Sequence, residues 1–370
     1  MAGLQNCRRA LWAWAALLSM AAPCNAQVDP KAALVERAAW VALTAGRAHV
    51  AAEAFREAIA ADPKNARLHL GAGMAAALER RDGDALDELQ RALALDPRLV
   101  EAQALLGQVQ YRTGDAPAAM RTYEKLVATT PGDPGPQATL DRWRREAALH
   151  DRMRQTIDAN FTVSFDGPAE EALATEALAS LDRAYWRIGQ LLGTYPSAPI
   201  SVVLYSAEEF RDITRSPAWA AGAYDGIIRV PVGGALKQRE ELDRVLAHEF
   251  THALVRTLAT RGVPAWLNEG LASALDTGDL DWASSALSVR AAGRPMVALR
   301  SLQSGFGRLS AGEATTAYAL SAIAVRRLLD DAGGVAIANL LRDLGAGADF
   351  ETAFQHRAHR TFTDFQNSLF

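Results

Sequence analysis

Cysteine is nearly absent. The 370 residues contain two, Cys7 and Cys24, both within the first 26, so a chain cleaved after Ala26 would hold none and could form no disulfide. Long apolar runs are missing as well. The most hydrophobic stretch, Ala10 to Ala22, is thirteen residues long, short of the roughly 20 that a helix needs to cross a bilayer. No basic excess exists either. The net charge is -4, which leaves no electrostatic footprint for a nucleic-acid surface.

What the first residues do contain is the pattern of an export signal: Arg8 and Arg9, the apolar run, then small residues at Cys24 and Ala26 before Gln27. Cleavage after Ala26 is the expectation, leaving an exported chain, periplasmic or extracellular, with no membrane span. Pro23 argues against Cys24 as a lipid-attachment site. At 370 residues the chain is long for one domain and suited to two.

From about 31 to 135 the chain repeats itself. Pro63, Pro97 and Pro131 are spaced by 34, and the same interval links Ala51, Ala85 and Ala119, then Phe55, Leu89 and Tyr123. This period, with Ala, a large apolar residue and Pro at fixed phases, resembles the tetratricopeptide repeat, a pair of antiparallel helices per unit. Gly73 and Gly107 fit the close-packing position of the first helix. Gly46 and Gly114 fit the turn between helices. Arg80 holds that phase in unit two, where Asp82-Gly-Asp84 suggests a shifted turn. A helix over Asp141–Met153 is expected to cap the stack, after a loop of breakers at 131–136. Repeats of this kind imply a groove for a peptide or protein partner.

The second landmark is Val245-Leu-Ala-His-Glu-Phe-Thr-His-Ala-Leu254. Leu242, Val245, Leu246, Ala253, Leu254 and Leu258 recur at helical steps, so His248 and His252 stand on one face and can reach one metal ion. Glu249 sits beside it. A third ligand is supplied by Glu269, 17 residues beyond His252, on a helix that Pro264 opens. Two His and one Glu give zinc three protein ligands and leave one position for water.

With Trp266-Leu-Asn-Glu-Gly-Leu-Ala272 following the His248-Glu249-x-x-His252 motif, the chain resembles the gluzincin metallopeptidases, and most closely their peptidase-MA-like domains. The resemblance implies one zinc per chain on His248, His252 and Glu269, with Glu249 as general base. It implies a transition-state donor from the downstream helices, with Tyr318 as candidate and His356 and His359 as rivals. It also implies a carboxylate one turn after Glu269, where this chain has Ser273. Asp276 is a weak substitute. The segment preceding the motif, Gly226, Ile227, Ile228, Arg229 and Val230, reads as an edge strand that could align substrate, because Pro231 suits an edge.

The expected architecture is therefore a signal segment at 1–26, an all-α repeat solenoid at 27–136 and a linking helix at 137–158. An α+β gluzincin, thermolysin-like domain occupies 159–370. The expected activity is peptide hydrolysis, with endopeptidase action favoured. The alternatives are a repeat scaffold with an inactive or structural metal site, and a zinc amidohydrolase acting on another amide.

Overall fold

The computed structural model describes residues 30–167, 170–214, 222–232, 238–276, 279–291, 297–303, 305–306 and 309–369. The export-like segment lies outside these. The chain divides after Asp151 into two compact units, a division that falls inside the segment read as a linking helix.

Among its described residues the first unit is wholly helical. Three pairs, α1 (Pro30–Thr44) with α2 (Ala48–Ala61), α3 (Ala66–Leu78) with α4 (Asp82–Leu95), and α5 (Val100–Arg112) with α6 (Ala116–Thr129), are followed by α7 (Pro134–His150). The 34-residue phases have physical counterparts. A methyl on Gly73 would press against the Leu89 side chain, and one on Gly107 would collide with the Tyr123 ring, so glycine is what allows each pair to close. His69 Nε2 and Gln103 Nε2, one period apart, bond to the carbonyls of Pro63 and Pro97 at 3.0 and 2.7 Å. Trp143 of α7 is buried and stacks on Tyr111 at 4.6 Å, which caps the last pair.

Two local expectations change. The turn in unit two is not shifted: Arg80 itself takes φ +60°, matching Gly46 at +74° and Gly114 at +90°, and Gly83 lies within α4. Helix pairing imposes the turn on whichever residue holds the phase. The breakers at 134–136 do not form a loop. Pro134 opens α7 after Asp133, whose side chain accepts from Gly135 N at 2.9 Å, the position where proline costs a helix nothing.

The second unit begins with β1 (Arg154–Ile157), β2 (Phe161–Phe165), α8 (Glu171–Leu192) and β3 (Ile200–Ser206). It continues through α9 (Ala207–Thr214), β4 (Ala223–Tyr224) and β5 (Ile228–Val232). The rest is helical: α10 (Arg239–Leu258), α11 (Ala265–Leu275), α12 (Asp281–Ala291), α13 (Ala311–Ala332), α14 (Gly334–Gly345), α15 (Phe350–Ala358) and α16 (Phe362–Asn367), with a short 3-10 turn at Leu299–Leu302. The sheet is mixed, in the order β1-β2-β3-β5-β4, with β3 parallel to both of its neighbours. One apolar core runs from Phe161 and Val202 on the strands, through Phe250 of α10, to Phe362 and Phe365. Among the described residues no helix is long and apolar enough to cross a membrane.

The sheet corrects the edge-strand expectation. β4 pairs antiparallel with the first half of β5, Ala223 opposite Arg229 and Tyr224 opposite Ile228, so β5 is not the terminal strand. The turn between them passes through Gly226 at φ +123°, which favours glycine. Ile228 and Val230 are core residues, and Arg229 is buried and paired with Asp225.

Candidate metal centre

Helix α10 carries His248 and His252 four residues apart, so both rings leave one face. The rings stand 4.9 Å apart and nearly perpendicular. Glu269 comes from α11, and one ligand atom from each of the three residues lies within 4.8 Å of the others. His252 Nε2 is 3.7 Å from Glu269 Oε2.

Close packing of α11 delivers that carboxylate. A methyl on Gly270 would collide with the backbone oxygen of Ser321 and the side chain of Val325, both on α13. Glycine follows the ligand because the two helices cross too tightly for a Cβ. One turn earlier Trp266 is fully buried and stacks on Phe362 at 5.6 Å, which anchors the start of α11. On α10, Phe250 packs edge-on against Phe161 at 5.9 Å, which fixes the helix against the sheet.

The donor set fits a divalent cation. Glu269 is 1% exposed, and its Oε1 has no hydrogen-bond partner among the described residues. A buried carboxylate held this way is costly unless positive charge compensates it, and two imidazoles with one carboxylate and an open position is a catalytic metal arrangement. The other ring nitrogen of His252 meets a fixed partner, Asn268 Oδ1 at 3.2 Å. That contact was missed in the sequence, where the only signal is an amide residue directly before the ligand glutamate.

Glu249 lies beside the cluster without belonging to it. It is buried, and burial pushes its carboxyl up to about 7; the charge of His252 opposes the rise, while Glu269 and Asp225 add to it. The backbone entering β4 rests on this side chain: a methyl on Gly222 would stand 2.6 Å from Glu249 Oε1. Tyr318, on α13, packs edge-on against Phe306 at 5.1 Å. Burial raises its hydroxyl pKa, and the nearby charges of Glu269 and Glu249 and a hydrogen bond to Glu269 raise it further. His356 and His359 are exposed on and just after α15 and join no metal cluster among the described residues. The segment Gly226–Val230 contributes core packing and a turn.

Residues 180–362 match the family described as the Peptidase MA superfamily. Two tetratricopeptide families match residues 36–99 and 83–142. The chain thus carries a Peptidase MA superfamily domain preceded by tetratricopeptide repeats. A curated relative, the Hsp70-Hsp90 organizing protein of Triticum aestivum, is 34% identical over 128 residues, which are 34% of this chain and 22% of that protein. Among solved structures, the first TPR of Spaghetti (RPAP3) bound to an HSP90 peptide is similar at 19% identity and a TM-score of 0.31, over 32% of this chain and 96% of that one. MamA is similar at 23% identity and 0.31, over 32% and 70%.

Proposed function

We propose that the protein is an exported zinc endopeptidase whose repeats hold a peptide or protein partner. The observation that carries the enzymatic part is the meeting of His248, His252 and Glu269 within 4.8 Å with a buried non-ligand glutamate next to them. Zinc, when bound, would supply a Lewis acid and a water whose pKa falls to about 7. Glu249 takes the proton of the attacking water and passes it to the leaving amine. The Tyr318 hydroxyl, protonated at neutral pH like any phenol, donates to the oxygen on which negative charge develops. Because β4 is the outermost strand of the described sheet, Ala223 and Tyr224 offer the free backbone edge nearest Glu249, and an extended substrate would pair there.

A purified chain should contain one zinc and cleave interior bonds of peptides blocked at both ends, and chelation should abolish the cleavage. Zinc binding without cleavage of any peptide in a mixed library would favour the scaffold reading. Release of only terminal residues would remove the endopeptidase assignment. Export rests on the basic and apolar opening of the sequence, and N-terminal sequencing of the mature protein from fractionated cells tests it: Gln27 as first residue is expected, Met1 would refute it.

A further inference from the structure

On the first helix of each repeat two phases recur, seven residues apart: Leu34, Leu68 and Ala102 at one, and Val41, Ala75, Val109 and, on α7, Trp143 at the other. Seven residues make two helical turns, so both phases lie on one face. On α3, α5 and α7 that face is covered by the unit before it. Leu68, Ala75, Ala102 and Val109 are at most 2% exposed and Trp143 is 3% exposed. Helix α3 packs against α1 and α2, α5 against α3 and α4, and α7 against α6. Leu34 and Val41 hold the same phases on α1, and they are 65% and 54% exposed. With Ala38 and Ala45, also exposed, they form a continuous apolar stripe along the helix.

A stack of repeats stays soluble when both ends present a polar outer face. The C-terminal end does so. Helix α7 buries Leu140, Trp143 and Leu149, and turns Arg144 and Arg145 to solvent. The N-terminal end keeps the side chains of an interface between units. A second copy could not cover it with its own C-terminal end, because α7 offers no large exposed apolar side chain, so a head-to-tail filament has no complementary surface. The face of matching chemistry that every copy carries is the α1 stripe itself, and a face that pairs with itself closes into a two-fold dimer.

We propose that two copies of this chain pair head to head through α1, with Leu34, Ala38 and Val41 of one copy against the same residues of the other. The contact continues the repeat interface across a two-fold axis, with α1 of the second copy standing where a preceding unit would pack. Ala38, between the two larger side chains, allows the helices to approach closely. A 15-residue helix is about 22 Å long, so the area buried lies at the small end of specific interfaces and the dimer dissociates on dilution. Each dimer carries two repeat grooves, which gives a partner with two matching segments the advantage of avidity.

The test is sedimentation velocity of the purified full chain between roughly 1 and 100 μM, the range in which a small interface of this kind assembles. Monomer is expected at the bottom of the range and dimer at the top. Val41→Glu places two unpaired charges in the contact and should raise the dissociation constant at least about tenfold. Its circular dichroism should match that of wild type, because Val41 faces solvent in the single chain. Trp186→Ala, which trims an exposed ring of the second unit, should leave the equilibrium unchanged. A monomer at about 100 μM overturns the proposal and means that a different protein, or the residues before Pro30, cover α1. A dimer that survives Val41→Glu, a dimer lost in Trp186→Ala, or oligomers that keep growing with concentration overturn it as well. Should Val41→Glu not fold, hydrogen exchange of the wild type at the two ends of the range decides. Peptides from α1 should exchange more slowly at the high concentration while those from α7 do not change, and no slowing in α1 refutes the pairing.

Discussion

The two units of this chain are held together in opposite ways. In the repeat unit each helix packs on its neighbours in sequence, and the residues that matter recur at one interval: Ala51, Ala85 and Ala119 are all fully buried. In the second unit the contacts that matter join distant segments. Arg187, Asp276 and Arg326 meet at one helix end, and His252 meets Glu269. A repeated local solution tolerates a poor residue in one copy, because the other copies keep the architecture. A site assembled once has no second copy, so single substitutions there should have the larger effects.

Glu249→Gln should show this most strongly. The amide keeps the shape of the side chain and cannot accept a proton, so turnover should fall by about 10²–10⁴-fold while zinc content stays at one per chain. Loss of the metal would instead make Glu249 a ligand and reverse its role. In the wild type the working form is the ionised carboxylate, and burial pushes the carboxyl up to about 7. The rate must therefore fall as pH drops through the folded-state value. A nearby dication favours the ionised form and moves that limb lower, so the limb should lie below 7 in the zinc-loaded enzyme and be absent from the residual activity of Glu249→Gln.

Tyr318→Phe should come next, with about 10²-fold lower kcat and little change in zinc affinity, since the hydroxyl acts on charge that appears only during reaction. A variant with wild-type kcat would return Tyr318 to the role of an aromatic packed against Phe306. Gly270→Ala tests the crossing of α11 and α13. The added methyl meets the backbone of Ser321, which cannot rotate away. Overpacking of this kind costs about 1–3 kcal/mol, and the displacement falls on Glu269, so both chemical stability and zinc affinity should drop. A fall in stability with intact zinc binding would mean the helix shifts without carrying its carboxylate along.

How much of this was legible follows the same division. The repeats were readable because one period places equivalent residues in equivalent surroundings, and the metal triad because a four-residue step on a helix is geometry fixed by the backbone alone. Strand β1 was not, since three of its four residues are polar, the fourth, Ile157, is exposed, and they carry no alternation. The terminal position of β4 escaped because pairing order is decided by chain topology, and a proline in β5 pointed to the wrong edge. Asn268 and Asp276 lie in sequence like any polar residue. Only the folded chain shows that one lies against His252 and the other faces His248.

The smallest expected effect comes from the repeat unit and has the opposite sign. Arg80 occupies the phase of Gly46 and Gly114 and adopts their left-handed backbone at φ +60°, a conformation that costs a residue with a Cβ about 1 kcal/mol relative to glycine. Arg80→Gly removes that strain but also widens the unfolded ensemble and gives up the contacts of a long side chain, so the net gain should be no more than about 1 kcal/mol by chemical denaturation. Gly114→Arg, the same exchange in reverse at the next repeat, should lose a similar amount. If both substitutions destabilise, the arginine side chain holds the turn of its own repeat, and unit two is then a locally adapted copy whose departure from the pattern is compensated. If the pair behaves with opposite signs, the turn belongs to the repeat architecture, and Arg80 merely endures it.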